Sequence, residues 1–247
     1  MYLIRSRSLH TADPLFMRIP TGQKTFFIPM AKTAKDYANT GLYEEGYIDW
    51  AVQNFAKEDK AFLDIGAHIG HYTISFAPRV KQVHAFECSP KSFNYLCANI
   101  ALHDLHYRVK TYNVALSDKE TTVDYFIRSP EDGGGNGISK FEKDERNKTP
   151  SIPLSAKPLD TFGLTNLNFI KLDVEGHEEF VLRGGVKTLE ENDYPKLLFE
   201  SWAERIESEG VPARELRKSL FGFLESLEYK IVQVRGCTDD MFLAERA

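Results

Sequence analysis

Phe62-Leu63-Asp64-Ile65-Gly66-Ala67-His68-Ile69-Gly70 is the stretch on which the reading of this chain turns. Phe62, Leu63 and Ile65 are strand formers. Gly66 and Gly70 permit backbone angles and close approaches that a side chain forbids. A helix follows, and its first turn presents free N–H groups suited to a polar or anionic group. Strand, glycine turn and helix in this order read either as an ordinary connection or as the ligand-binding turn at the carboxyl edge of an α/β sheet.

Working outward, the chain has 247 residues, enough for one large domain. Hydrophobic residues at 42% and aromatic residues at 12% support a sizeable core. A net charge of −5 leaves no basic footprint for nucleic acid or an anionic membrane surface. No apolar run reaches the roughly 18 residues of a membrane span. The first residues lack the apolar core of a secretory signal, and Asp13 argues against a transit peptide despite Arg5 and Arg7. Cys88, Cys97 and Cys237 have no metal-site spacing and fit a reducing, cytoplasmic compartment.

Before the decisive stretch, Thr25 to Pro29 reads as a short strand and Lys32 to Asn39 as mobile or helical. Ile48, Ala51, Val52 and Phe55 then fall at helical spacing. Tyr43-Glu44-Glu45-Gly46, just ahead of them, is either a solvated turn or a lid over a ligand. Residues 1–46 are read as an N-terminal extension and 47–247 as the main domain. After the glycine turn, a helix to Ala77 is stopped by Pro78. Val83, Ala85 and Phe86 form a second strand ending at Glu87, and Ser89-Pro90 opens a helix with an apolar face at Phe93, Leu96, Cys97, Ile100 and Ala101. A third strand lies within Tyr107 to Asn113. Consecutive βα units predict a doubly wound, mostly parallel sheet with right-handed crossovers.

The alternation then stops. Thr121–Ile127 and Ser151–Leu159 read as strands separated by a glycine-rich, charge-balanced segment over 128–150, taken as a flexible loop that orders with substrate. Strand character returns at Phe169–Val174, followed by Glu175-Gly176-His177-Glu178 and a helix broken at Gly184-Gly185. Lys196–Trp202 is a further strand, a long helix runs through Leu216 to Leu227, and Tyr229–Val234 with Met241–Glu245 predict a closing antiparallel hairpin.

Glu87 stands about 20 residues beyond Gly66, where an acid accepts from the two hydroxyls of a ribose. The turn is Gly-Ala-His-Ile-Gly and lacks the Gly-x-Gly-x-x-Gly pyrophosphate fingerprint. S-adenosylmethionine has a ribose and no pyrophosphate. Asp64 and the backbone of Gly66, Ala67 and His68 are suited to its amino-acid end, and the closing hairpin favours a methyltransferase over a dehydrogenase.

Asp64 to Gly70, Phe86 to Pro90, Asn113 to Asp118 and above all Ile170-Lys171-Leu172-Asp173-Val174-Glu175-Gly176-His177-Glu178 resemble the FkbM family of S-adenosylmethionine-dependent methyltransferases, across about residues 43–205. The resemblance implies a seven-stranded Rossmann-like sheet and O-methylation of a hydroxyl, often on a sugar or polyketide. It places Asp64, Gly66, His68 and Gly70 at the methionine end, with Tyr72 and Thr73 closing round it or simply packing. It places Glu87 on the ribose, and Cys88, Ser89, Val114, Ala115 and Ser117 around the adenine.

Methyl transfer to a weakly nucleophilic hydroxyl needs alignment and a proton acceptor. Asp173, ending its strand beside the glycine turn, is the expected base or acceptor orienter and lies near the methyl. An extended chain through Val174 would point Asp173 and Glu175 the same way, with Gly176 bending the chain into the helix. His177 is a second candidate base. Asp173, Glu175 and His177 are poor in oxygen ligands for magnesium, so a divalent metal is not expected. Trp202 either stacks on a sugar face or packs in the core. The product would be S-adenosylhomocysteine and the acceptor a glycan or glycosylated metabolite. The competing readings are a nucleotide-sugar or dinucleotide enzyme and a non-catalytic cofactor-binding module.

Overall fold

The computed structural model describes residues 17–21, 23–27, 44–131, 134–202, 207, 210–234 and 240–246, the first two segments as backbone alone. Lys32–Asn39, Tyr43, residues 132–133 and Cys237 lie outside the described residues.

In chain order, β1 (Met17–Thr21) and β2 (Gln23–Phe27) form an antiparallel pair. The main unit begins with α1 (Glu45–Phe55), β3 (Ala61–Ile65) and α2 (His71–Phe76). A 3-10 turn over Ala77–Arg79 carries Pro78, which has no N–H to continue the helix. There follow β4 (Gln82–Phe86), α3 (Pro90–Leu102) and β5 (Val109–Tyr112). Ser89 caps α3 by accepting from Ser92 N at 3.3 Å. Ala101, expected on the apolar face of α3, is exposed; that face is built on Ser92, Leu96, Asn99 and Ile100.

The inserted segment comprises β6 (Ala115–Leu116), β7 (Thr121–Phe126), α4 (Glu142–Asn147) and β8 (Ser151–Lys157). Its strands make a separate three-stranded sheet, β6-β8-β7, with β6 parallel and β7 antiparallel to β8. The chain then returns through β9 (Leu167–Leu172), α5 (Glu178–Arg183), α6 (Val186–Glu191), β10 (Lys196–Glu200), α7 (Ala213–Ser226), β11 (Lys230–Gln233) and β12 (Met241–Glu245).

The main sheet has seven strands in the order β11-β12-β10-β9-β3-β4-β5. All neighbours from β10 to β5 are parallel, while β12 runs antiparallel to both β10 and β11. The hairpin therefore forms, and its second strand slots between the first and the parallel block.

Alternation along each strand sends side chains to opposite faces. Phe62 and Phe169 join one core with Phe76, Ile48 and Leu96, where the Phe62 and Phe76 rings stack at 3.9 Å. Leu63, Ile65, Ile170, Leu172 and Phe199 join the other, against Val181, Leu189 and Leu224. On the first face the apolar pattern ends at the carboxyl edge: Asp64 is paired in register with Lys171, and both are buried. Among the described residues no helix is long and apolar enough to cross a membrane.

Candidate functional site

A cavity of about 470 Å³ opens at this carboxyl edge, within the size range of small-molecule sites. One end is built on the glycine turn. Gly66 and Ala67 each donate N–H to Phe86 O at 2.9 Å, which folds the turn back on β4. Gly66 has φ 79°, and a Cβ there would lie 1.7 Å from the Asp173 carbonyl oxygen. The site therefore requires glycine on two counts, backbone angle and space. His68 also has positive φ, 53°, and its N–H donates to Glu87 Oε2 at 2.8 Å. Glu87 Oε1 accepts from Ser89 N at 2.8 Å. One buried carboxylate thus ties the glycine turn to the start of α3 and keeps acceptor capacity for a ligand. Burial pushes its pKa up, against the neighbouring His68.

Asp64 lies beneath the turn, accepting from Thr73 Oγ1 at 2.5 Å, and burial lifts it to about 6. His71 also lines this end, and burial, then His68, lower it to about 3, so its imidazole is neutral. Cys88, Val114, Ala115 and Leu116 complete an apolar wall, joined by Tyr125 from β7.

The other end is charged. Lys171 is 1% exposed, and its Nζ donates to Asp173 Oδ2 at 3.1 Å and lies 5.2 Å from the Tyr72 ring centre. Burial alone would depress this ammonium, but Asp173, Glu44 and Glu200 outweigh it and raise the pKa. Tyr72 Oη donates to Glu44 Oε2 at 3.1 Å, so the turn before α1 reaches the cavity wall. Glu175 and Glu200 face the same space. Burial, then Asp173, lifts Glu175 to about 8 and Glu200 to about 9. Trp202 completes this wall.

The chain does not stay extended past Asp173. Glu175 adopts φ 57° and Gly176 φ 90°, so the bend begins one residue before the glycine. Glu178 stabilises that bend by accepting from Val174 N at 3.1 Å and Gly176 N at 3.2 Å. Asp173 and Glu175 still both line the cavity, brought there by the turn.

Of the predicted site residues, Glu44, Asp64, Gly66, Ala67, His68, Tyr72, Glu87, Cys88, Val114, Ala115, Asp173 and Glu175 line the cavity, and Gly70, Thr73, Ser89, Ser117 and His177 do not. Gly70 packs where a Cβ would meet Leu96 at 2.8 Å. Thr73 serves Asp64, and Ser89 caps α3. His177, the second candidate base, lies outside the cavity lining. Its ring stacks on Phe180 at 4.6 Å, with Nε2 3.1 Å from Ser117 Oγ and Nδ1 3.5 Å from Ser139 Oγ. Burial lowers it to about 4, with the Asp118 charge opposing.

From Gly134 onward the glycine-rich segment packs against the cavity, with Phe141 and Asp144 buried. Lys171, Tyr125, His71 and Asn136 are cavity residues that sequence reasoning passed over. Lys171 left a signal, a lysine in an apolar strand two positions before an aspartate. Among the described residues no three His, Cys, Asp or Glu side chains are grouped to hold a metal ion.

Residues 64–231 match a family model described as the methyltransferase FkbM domain. Comparison with curated proteins gives no match. Among solved structures, the chain is similar to the methyltransferase FkbM from Methylobacillus flagellatus KT, at 17% identity and TM-score 0.51, over 76% of this chain and 44% of that one. This chain thus spans under half the length of that relative. It is also similar to a precorrin-6y C5,15-methyltransferase from Geobacter metallireducens GS-15, at 12% identity and TM-score 0.51, over 90% and 94%. A precorrin 8w decarboxylase from Methanobacterium thermoautotrophicum gives 14% identity and TM-score 0.50, over 88% and 97%. At these identities the structural likenesses speak for the fold alone.

Proposed function

The chain belongs to the FkbM methyltransferase domain family, and from that premise we propose that it transfers a methyl group from S-adenosylmethionine to a sugar hydroxyl in a glycan or glycosylated metabolite. Bound in the cavity, S-adenosylmethionine would supply a methyl on a sulfonium sulfur and leave as S-adenosylhomocysteine. The residues present suit it. Glu87, buried and acceptor-only, matches a ribose diol, and the cavity has no pyrophosphate-binding glycine pattern. The Gly66–His68 backbone and Asp64 suit the amino-acid end, with Cys88, Val114, Ala115 and Tyr125 around the base.

The acceptor end falls to Lys171, Asp173, Glu175, Glu200 and Trp202. Lys171 holds Asp173 Oδ2, which leaves Oδ1 to accept from the acceptor hydroxyl and orient it. With one oxygen engaged by Lys171 and the other open to the acceptor, Asp173 is assigned to orientation. Glu175, whose burial and Asp173 neighbour bring it to about 8, is assigned to take the proton in its ionised form, which gains population as pH rises towards that value. Several carboxyls beside one indole suit a polyol with an apolar face. We further propose residues 1–46 as an extension and 47–247 as the methyltransferase domain.

The observation that carries this reading is one cavity with a ribose-type carboxylate at one end and the Lys171–Asp173 pair at the other. Its test is calorimetric binding of S-adenosylhomocysteine against NAD, with transfer of labelled methyl to a panel of mono- and oligosaccharides. The expectation is S-adenosylhomocysteine binding and transfer, with Asp173→Asn keeping binding and losing turnover. Binding of NAD instead would refute the cofactor, and binding without transfer to any sugar would refute the acceptor class.

A further inference from the structure

Arg128 follows β7 and opens the charge-balanced segment, and its guanidinium donates to four acceptors inside the protein. Nε donates to Asp144 Oδ1 at 2.9 Å and Nη2 to Asp144 Oδ2 at 2.8 Å. Nη1 donates to the Gly135 carbonyl at 2.9 Å, and Nη2 also donates to the Ser139 carbonyl. The side chains of Arg128 and Asp144 are 10% and 1% exposed. The guanidinium carbon lies 4.7 Å from the Phe141 ring centre, and Asp144 Oδ2 accepts from Phe141 N at 3.0 Å. One planar fork therefore fixes the segment at Gly135, Ser139 and Asp144, a geometry that a lysine cannot reproduce.

The fixed segment presses on the turn after β9. Gly135 N–H donates to Glu175 Oε1 at 2.9 Å, and Ser139 Oγ donates to Gly176 O at 2.9 Å. A Cβ on Gly137 would lie 2.9 Å from Glu175 Cβ. Phe141 meets the Trp202 ring edge-on at 5.5 Å. The contacts run from Arg128 through the segment to the carboxyl assigned above as proton acceptor.

We propose that Arg128 is a positioning residue: by clamping Gly134–Phe141 onto the turn after β9, it sets the place of the Glu175 carboxyl and the shape of the acceptor end. The catalytic part of this rests on the functional reading given above; the clamp itself does not.

The test uses the full chain carrying Trp50→Phe, which leaves Trp202 as the sole tryptophan, since the sequence has two. Arg128→Lys keeps the charge and loses the fork. Gly137→Ala keeps the Arg128 fork and pushes on Glu175, its Cβ lying 2.9 Å from Glu175 Cβ against 3.4 Å from Arg128 Nη1. Both should stay folded by circular dichroism and bind S-adenosylhomocysteine within about threefold of the parent. Both should red-shift Trp202 emission and speed amide exchange at Gly135. In methyl transfer both should lower kcat at least roughly tenfold and move the pH midpoint of kcat. Loss of cofactor binding in step with turnover would overturn the proposal, because it marks a purely structural role. Unchanged kcat and pH midpoint would also overturn it. If the parent methylates no sugar, the functional reading falls. The clamp is then decided by Trp202 emission and Gly135 exchange, and no change in either variant would overturn it.

Discussion

Replacing Lys171 by Met removes the buried cation and keeps an unbranched apolar stem of similar length. The wild-type ammonium is buried, bonded to Asp173 at 3.1 Å, and held charged by Asp173, Glu44 and Glu200. Deleting one partner of a buried pair costs about 3–5 kcal/mol, because the other charge stays desolvated. The Asp173 side chain is 27% exposed, which puts the cost at the lower end, about 3 kcal/mol. For a chain of this size that lowers Tm by about 6–12 °C. The sign with pH follows from the groups left behind. The Lys171 pKa is raised on folding, so its contribution is full below its unfolded value, about 10.4, and is lost only at higher pH. Burial raises Glu44 and Glu200 while Lys171 holds them down. Without Lys171 they bind protons more tightly in the folded chain than in the unfolded one. Stability of the variant then falls as pH rises from about 5 to 8. Urea unfolding of both proteins at pH 5 and pH 8 measures this, with Lys171→Met/Asp173→Asn expected to recover part of the loss. A deficit below about 0.5 kcal/mol at pH 8, or one that shrinks with pH, would refute the reasoning.

Three further outcomes are expected. Gly66→Ala places a Cβ against the Asp173 carbonyl oxygen and strains a positive φ; S-adenosylhomocysteine affinity by calorimetry should fall more than about 100-fold, and near-parental affinity would count against the turn. Glu87→Gln removes a charged acceptor, about 1.5–3 kcal/mol, so affinity should drop roughly 10- to 100-fold; a change under about threefold would exclude ribose binding there. Glu175 titrates at about 8 when folded and about 4.3 when unfolded, so the folded chain binds the extra proton and stability declines as pH rises through that window. Glu175→Gln should flatten the decline between pH 5 and pH 9 in urea midpoints, and an unchanged slope would show that Glu175 is not the group responsible.

Local signals in the sequence were read well. Strand, glycine turn and capped helix are decided by neighbours in sequence, as at Ile65–Gly66 and Ser89–Pro90. Glu87 was legible because strand length and helix start place it at the edge. What depends on chain far away was not legible. The surroundings of His177 are one case, since Ser117, 60 positions earlier, lies against its ring. The balanced charges of 128–150 gave no sign of which would pair, and Arg128 and Asp144, 16 positions apart, meet largely out of water. Lys171 left a local signal, but its partners Glu44, Tyr72 and Glu200 were not legible because they come from three other elements.

The place of β12 in the sheet has a consequence for the order in which the molecule can be built. A chain leaving the ribosome presents β10 and then β11 before the strand that must lie between them. Until Met241–Glu245 arrive, β10 has an open hydrogen-bonding edge at Leu197–Glu200, and β11 has no neighbour to pair with. An unpaired edge on an apolar strand invites association with other chains. Because β10 also carries Glu200 to the cavity, the last strand of the sheet to be synthesised secures one wall of the site.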